Sequence, residues 1–350
     1  MTAEQNLPSQ ESWRHLYDAA IAFKEAASWD WMQDNDIFGV KDPRTGEVGY
    51  CCVLGAAQEL FGMTVYRGTE GLNVYLSMAS SSIGPDEPDF LFIQRCLMAD
   101  FQDREMLDKT DRDVIRSLGL KFRGPNEWPQ FRSYVPGYFP WHLTEAEALF
   151  LAVALEQALN VCLRFRDNPK LLHSLVEGAY LVRTAAQQEE QLAWRDEWLQ
   201  PEPLKQKVVS FEPLDEATLA RIKKSVSPTD QVWEGDFFHF ENPMKEQGRP
   251  FYPRLFVWAE TGSGLLLAID MNHPENPITL LRDCLIQVME KSRVFPREIR
   301  VRDSEAFELL LPLAEQVRIK LVKTPALRAI HAFRQAIPDY LDSLTRTAEP

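Results

Sequence analysis

The stretch QVWEGDFFHFENPMKEQGRPFYPRLFVWAETGSGLLLAIDMN, residues 231–272, decides how the second half of this chain folds. Three runs within it, QVWEGDFFHF, RLFVWAE and GLLLAIDMN, are rich in the aromatic and branched residues that suit extended strands. TGSG between the last two is a tight-turn sequence, so these two runs predict a hairpin. Downstream, the apolar spacing predicts a helix over 278–291, a strand at REIRVRD and a helix over 304–315. A strand at RIKLVK and a helix from Pro325 to about Leu344 close the chain. Upstream, LKQKVVSFEP (204–213) reads as a strand, and Asp215 caps a short helix ending near Lys224.

Before this region the pattern is more mixed. Trp13, Leu16, Ala20, Phe23 and Ala27 make one helical stripe that Ser12 is placed to cap. DIFGVKDPRTGEVGYCCVLG (36–55) reads as a hairpin, GMTVYRG as a strand, and TEGLNVYLSMAS as a helix capped by Thr69. A strand is expected around 91–101 and a short helix near 110–118. Residues 122–143 hold four prolines and seven aromatics, a composition that predicts an ordered loop packed by its own rings. LTEAEALFLAVALEQALNVCLRF is a helix with a Thr144/Glu147 capping box and Leu149, Val153 and Leu159 toward the core. Within 178–199 the Ala, Gln and Glu content favours a helix, while AYLVRTAA and LAWRDEWL can instead pair as strands, and paired strands are the expectation.

At 350 residues the chain exceeds one ordinary core. LQPEPLKQK (199–207) is the linker candidate, dividing an acidic α+β domain at 1–203 from a second domain at 204–350. The net charge of −14 falls almost wholly on the first, which carries 18 Lys and Arg against 31 Asp and Glu. Such a surface repels nucleic acid at long range. The segment 318–334 is locally basic, with five cationic residues and no acidic one. No apolar run approaches membrane-span length, and the polar N-terminus lacks the regions of a signal peptide. The odd, scattered set of five cysteines fits a reduced, cytoplasmic protein.

The element order over 230–345 resembles the ribonuclease H-like fold of transposases and retroviral-type integrases. The resemblance implies an α+β domain of order βββαβαβα, a mixed sheet flanked by helices. It also implies two metal-holding carboxylates: Asp236 within the first strand and Asp303 at the end of the fourth. The family uses these with a third carboxylate on a later helix to hold two divalent metals in phosphodiester displacement. Here that helix shows Arg328, His331 and Arg334, and no acid before Asp339. A degenerate, non-catalytic form of the domain is therefore the expectation. The whole chain also resembles an uncharacterised bacterial family that carries GYCCVLG, VYRGTEGL and WPQFRSYVPGYFP-type segments ahead of a C-terminal domain of unknown function. That resemblance implies a bacterial, cytoplasmic protein and transfers no activity.

Other motifs read as scaffold. Cys51 and Cys52, between Tyr50 and Val53, are expected to be buried and inert. YRGTEGL offers backbone N–H groups at a helix start but lacks the lysine of a P-loop. The acidic tract 100–113 lacks the spacing of a calcium loop, and the six histidines lack any metal-ligand spacing. The aromatic loop offers Trp128, Phe131, Arg132, Tyr134 and Tyr138 as a recognition surface for a peptide or a base. The sequence thus points to a binding or scaffold protein with no resident metal or cofactor and with another protein as its partner. The alternative is a metal-dependent nuclease or strand-transfer enzyme using Asp236 and Asp303 with Mg²⁺ or Mn²⁺.

Overall fold

A computed structural model describes residues 7–80, 90–188, 191–204, 213–225, 227–246 and 248–347. The strand expected at 204–213 falls almost wholly outside them. The chain divides into two compact units, one formed by the chain up to 205 with 245–250, the other by 206–244 with 251–350.

The first unit runs α1 (Gln10–Ala26), β1 (Phe38–Lys41), β2 (Val48–Leu54), β3 (Phe61–Arg67), α2 (Gly68–Ala79) and a single turn α3 (Phe90–Ile93). It continues with β4 (Cys96–Gln102), α4 (Lys109–Ser117), β5 (Trp128–Tyr134), α5 (Glu145–Asp167), β6 (Tyr180–Gln188) and β7 (Gln191–Leu199). The strands make one sheet, β5-β4-β3-β2-β1-β6-β7. Its neighbours are antiparallel except β1 and β6, which run parallel. Leu16 and Phe23 of α1 and Leu151 and Leu155 of α5 are buried with Val40 and Val65 in its main core. Leu72 of α2 packs with Tyr50, Cys52 and Tyr66 in a separate, smaller cluster.

Several local expectations change. Ser9 rather than Ser12 caps α1, its Oγ accepting from the Ser12 N–H at 3.1 Å. The Ser12 hydroxyl donates instead to Glu145 at 2.6 Å, tying the first turns of α1 and α5 together. The capping box of α5 is present, but its buried stripe runs through Ala148, Leu151, Ala152, Leu155 and Ala158. By length and composition α5 is long and apolar enough to cross a membrane, contrary to the sequence expectation. In the fold, 11 of its residues are buried. The 91–101 strand begins only at Cys96, after the turn α3. The aromatic tract is not a loop throughout, because Trp128–Tyr134 pairs with β4 as the edge strand β5. Pro129 is tolerated there because an edge strand has one row of backbone donors without a ladder partner.

The second unit runs α6 (Glu216–Ser225), β8 (Ser227–Pro228), β9 (Val232–His239), β10 (Arg254–Glu260), β11 (Leu266–Asn272) and α7 (Thr279–Ser292). It closes with β12 (Val294–Phe295), β13 (Glu298–Val301), α8 (Ser304–Val317), β14 (Lys320–Lys323) and α9 (Arg328–Thr347). The main sheet has the order β11-β10-β9-β13-β14. β9, β10 and β11 form an antiparallel meander, while β13 pairs parallel with both β9 and β14. This is the ribonuclease H-like arrangement: the first strand of the meander lies central and carries the parallel pair on its far side. Gly235 lies opposite Trp258, and a Cβ there would meet the indole at 2.5 Å. The bare backbone lets the ring lie across β9, with its N–H donating to the Leu281 carbonyl at 3.0 Å.

Candidate functional site

On β9 the residues Trp233, Glu234, Gly235 and Asp236 are all buried, because the strand is paired on both edges and covered on both faces. Asp236 is 3% exposed. Burial pushes its carboxyl up to about 6, against the pull of the Arg302 and Arg334 charges. Arg302 reaches Oδ2 of Asp236 through Nη2 at 3.2 Å. Arg334 of α9 lies over the Phe238 ring, 4.5 Å from its centroid.

Asp303 does follow the fourth strand, and it is near enough to Asp236 to add to the upward push on that carboxyl. Its own Oδ1, however, accepts the Ala306 N–H at 3.0 Å and caps α8. The Asp339 side chain lies outside the described residues. Arg302 thus contacts one oxygen of Asp236, and the α8 N-terminus engages one oxygen of Asp303.

Glu234, two residues before Asp236, was missed by the sequence reading. It is 1% exposed, and its Oε2 accepts from the Ala329 and Ile330 N–H groups at 2.8 and 3.2 Å. A carboxylate on the central strand therefore holds the first turn of α9 through two orphan helix donors. The signal was present as acids at alternate positions of an apolar strand, WEGD. In the basic segment, Lys320 pairs with Glu298 at 2.9 Å.

In the first unit the five recognition candidates do not line one groove. Alternation along β5 sends Phe131 inward, edge-on to Tyr17 at 5.0 Å between ring centroids. Arg132 points the other way and grips Asp111 through Nη1 at 2.9 Å and Nη2 at 2.7 Å. Trp128 packs on Phe122 at 5.8 Å, Tyr134 reaches the Met98 sulfur at 3.7 Å, and Tyr138 lies under Arg249.

Asp108, Asp111 and His142 are the one group of three metal-capable side chains among the described residues. Burial would raise the Asp111 carboxyl, but Arg132 holds it below the usual carboxylate range. Burial and the same arginine push His142 down. Asp108 and Asp111 also form the capping box of α4. Arg132 pairs with both carboxylates, at 2.7 Å to Asp111 and 3.4 Å to Asp108, so part of the cluster's charge is compensated within the protein.

The cysteine expectation holds in geometry. Cys51 and Cys52 are buried on opposite faces of β2, and burial lifts the Cys52 thiol to about 12. The segment YRGTEGL starts α2 through Gly68 at φ +62°, beside a cleft of about 480 Å³. Arg67 and Arg95 meet there on Glu47 at 2.8 and 3.2 Å, so its main cations are already paired. Thr69 does not cap α2, since its hydroxyl donates to the Glu202 carbonyl at 2.7 Å.

Comparison with solved structures gives retroviral integrase domains. The HTLV-2 integrase catalytic core domain in complex with magnesium, in its trimeric form, is 17% identical over 35% of this chain and 76% of that one, with a TM-score of 0.27. Its dimeric form gives 16%, 35%, 77% and 0.27. A chain of the simian T-cell lymphotropic virus intasome in complex with PP2A regulatory subunit B56 gamma gives 19% over 33% of this chain and 42% of that one, at 0.26. The fold assignment rests on the strand order itself. No curated protein matches the chain. Residues 13–183 match the family model Domain of unknown function (DUF7309), and residues 218–338 match Domain of unknown function (DUF6930).

Proposed function

We propose that this chain is a non-catalytic binding or scaffold protein whose second unit keeps a ribonuclease H-like sheet without its metal chemistry. One observation carries the reading: the Asp236 carboxyl is buried and paired with Arg302, while Asp303 caps α8. A buried carboxyl with a guanidinium partner has its charge compensated already, and a divalent cation would have to displace that partner. No third carboxylate joins Asp236 and Asp303 in a metal-sized group among the described residues. The net charge of −14 weighs against a nucleic-acid partner and leaves a protein partner as the reading. Five free, buried cysteines are in keeping with a reducing, cytoplasmic setting.

The test is a thermal melt of the full chain and of Asp236→Asn, with and without Mn²⁺. The expected result is no metal-dependent shift in either protein. A metal bound only by the folded state at about 100 times its dissociation constant would add roughly 2.7 kcal/mol. Such a gain in wild type, absent from Asp236→Asn, would overturn the reading and restore the nuclease alternative.

A further inference from the structure

Arg254 opens β10, opposite His239 on β9 and Asn272 on β11. Residues in register share a sheet face, so these three polar side chains stand side by side across three strands. They share that face with Phe237 and Phe256, whose rings lie 4.1 and 5.5 Å from the Arg254 guanidinium. The Asp236–Arg302 pair is on the other face, because Asp236 and Phe237 are consecutive in one strand.

The chemistry of the Arg254 group is incomplete within the protein. Its Nε is buried with no hydrogen-bond partner, and so is Nδ2 of the neighbouring Asn272. The Asn272 amide is oriented by its other end, where Oδ1 accepts from Asn276 Nδ2 at 3.1 Å. Among the described residues the Arg254 side chain has no hydrogen-bond or ion-pair partner. Asp303 and Glu305 act on its charge through space, but neither comes within ion-pair range. Burial pulls its pKa down, yet a guanidinium stays protonated near neutral pH. Burial and the Arg254 charge push His239 down to about 4, so the imidazole is neutral there. Buried donors are satisfied in the great majority of proteins, and each exception calls for an explanation.

We propose that Arg254 and Asn272, beside His239, bind an oxyanion, the carboxylate or phosphate of a ligand outside this chain. A planar fork of donors next to an amide N–H suits the paired oxygens of either group. The aromatic rings hold the fork in place, so less side-chain entropy is lost on binding. The nearby Asp303 and Glu305 weaken the attraction, so binding is modest and falls with salt. This site is independent of whether Asp236 takes a metal, because it uses different residues on a different face.

The experiment follows the melting temperature of the full chain in sodium phosphate and in sodium acetate, against sodium chloride of equal ionic strength. The wild type is expected to gain stability in one of the two anions over chloride, and the responding arm identifies phosphate or carboxylate. Arg254→Met, which keeps the apolar stem over Phe237, is expected to lose that gain. A wild type indifferent to both anions, or an Arg254→Met protein with the full gain, overturns the proposal. Arginine Nε–H resonances read the same contact in unmodified protein, with the Arg254 signal assigned by its loss in Arg254→Lys. A saturable shift of that signal with the anion supports the site, and an unmoved signal overturns it.

Discussion

Asp111 in the first unit and Asp236 in the second are both buried and both paired with arginine, and the two pairs are built differently. Asp111 takes both Nη atoms of Arg132, at 2.9 and 2.7 Å, and its carboxyl is held below the ordinary range. Asp236 takes one Nη of Arg302 at 3.2 Å, and burial pushes its carboxyl up to about 6. Burial is the largest influence on each aspartate, and it opposes ionisation in both. At Asp111 the hydrogen bonds and charge of Arg132, with His142, outweigh desolvation, whereas the more deeply buried Asp236, beside Asp303, is not brought down by Arg302 and Arg334. Asp111 is held as a carboxylate, and Asp236 is poised to take a proton.

The largest predicted effect breaks the stronger pair. Arg132→Met leaves Asp111 buried without its partner and is expected to cost about 3–5 kcal/mol in urea unfolding at pH 7. Arg302→Met is expected to cost less, about 1–3 kcal/mol, because Asp236 relieves the loss by taking a proton. The cost of Arg302→Met should shrink at pH 5, whereas that of Arg132→Met should not. A larger loss for Arg302→Met at pH 7 would reverse the ranking of the pairs.

The pH dependence sharpens the same contrast. The folded pKa of Asp236 is raised, so its contribution is full below the unfolded value near 4 and is lost as pH rises through about 6. Asp236→Asn should remove that decline, a difference of about 2–3 kcal/mol between pH 4 and 7. The folded pKa of Asp111 is lowered, so its contribution is present above the unfolded value and is lost as pH falls through the folded one. Asp111→Asn should therefore destabilise at pH 7 and much less in acid. Matching slopes for the two variants, measured by denaturant unfolding across pH, would end the comparison.

The smallest effect concerns Asp303. As the cap of α8 it should tolerate Asp303→Asn, while Asp303→Ala costs about 0.5–2 kcal/mol of thermal stability. Equal losses from both substitutions would show that its charge matters beyond capping.

Much of this architecture was legible from local pattern. The order of elements from β9 to α9, apart from the two-residue β12, and the capping box of α5 follow from spacing within a few residues of one another. For the β6/β7 segment, composition also allows a helix, and only the hairpin pairing decides. The burial of Cys51 and Cys52 on opposite faces followed from strand alternation alone. The aromatic tract misled because its prolines were weighed without knowing that β5 would lie at a sheet edge. Edge position belongs to the assembled sheet and has no local signature. The missed Glu234 is similar, since its role depends on α9 arriving some 95 residues later in the chain.

By itself, the sequence determined most of the helices and strands, the opposite facing of Cys51 and Cys52, and that acids stand at 234, 236 and 303. Caps and periodicity act between residues three or four apart, where the chain has little freedom to lose. Only the tertiary structure decided what those acids touch: Glu234 a helix N-terminus, Asp236 an arginine, Asp303 the start of α8. It also decided that Arg254 would stand beside Asn272 without an acceptor. The long-range contacts among these join positions far apart in sequence, and strand order and register select them. The charge state of a buried group then follows from its neighbours, which no short stretch of sequence contains.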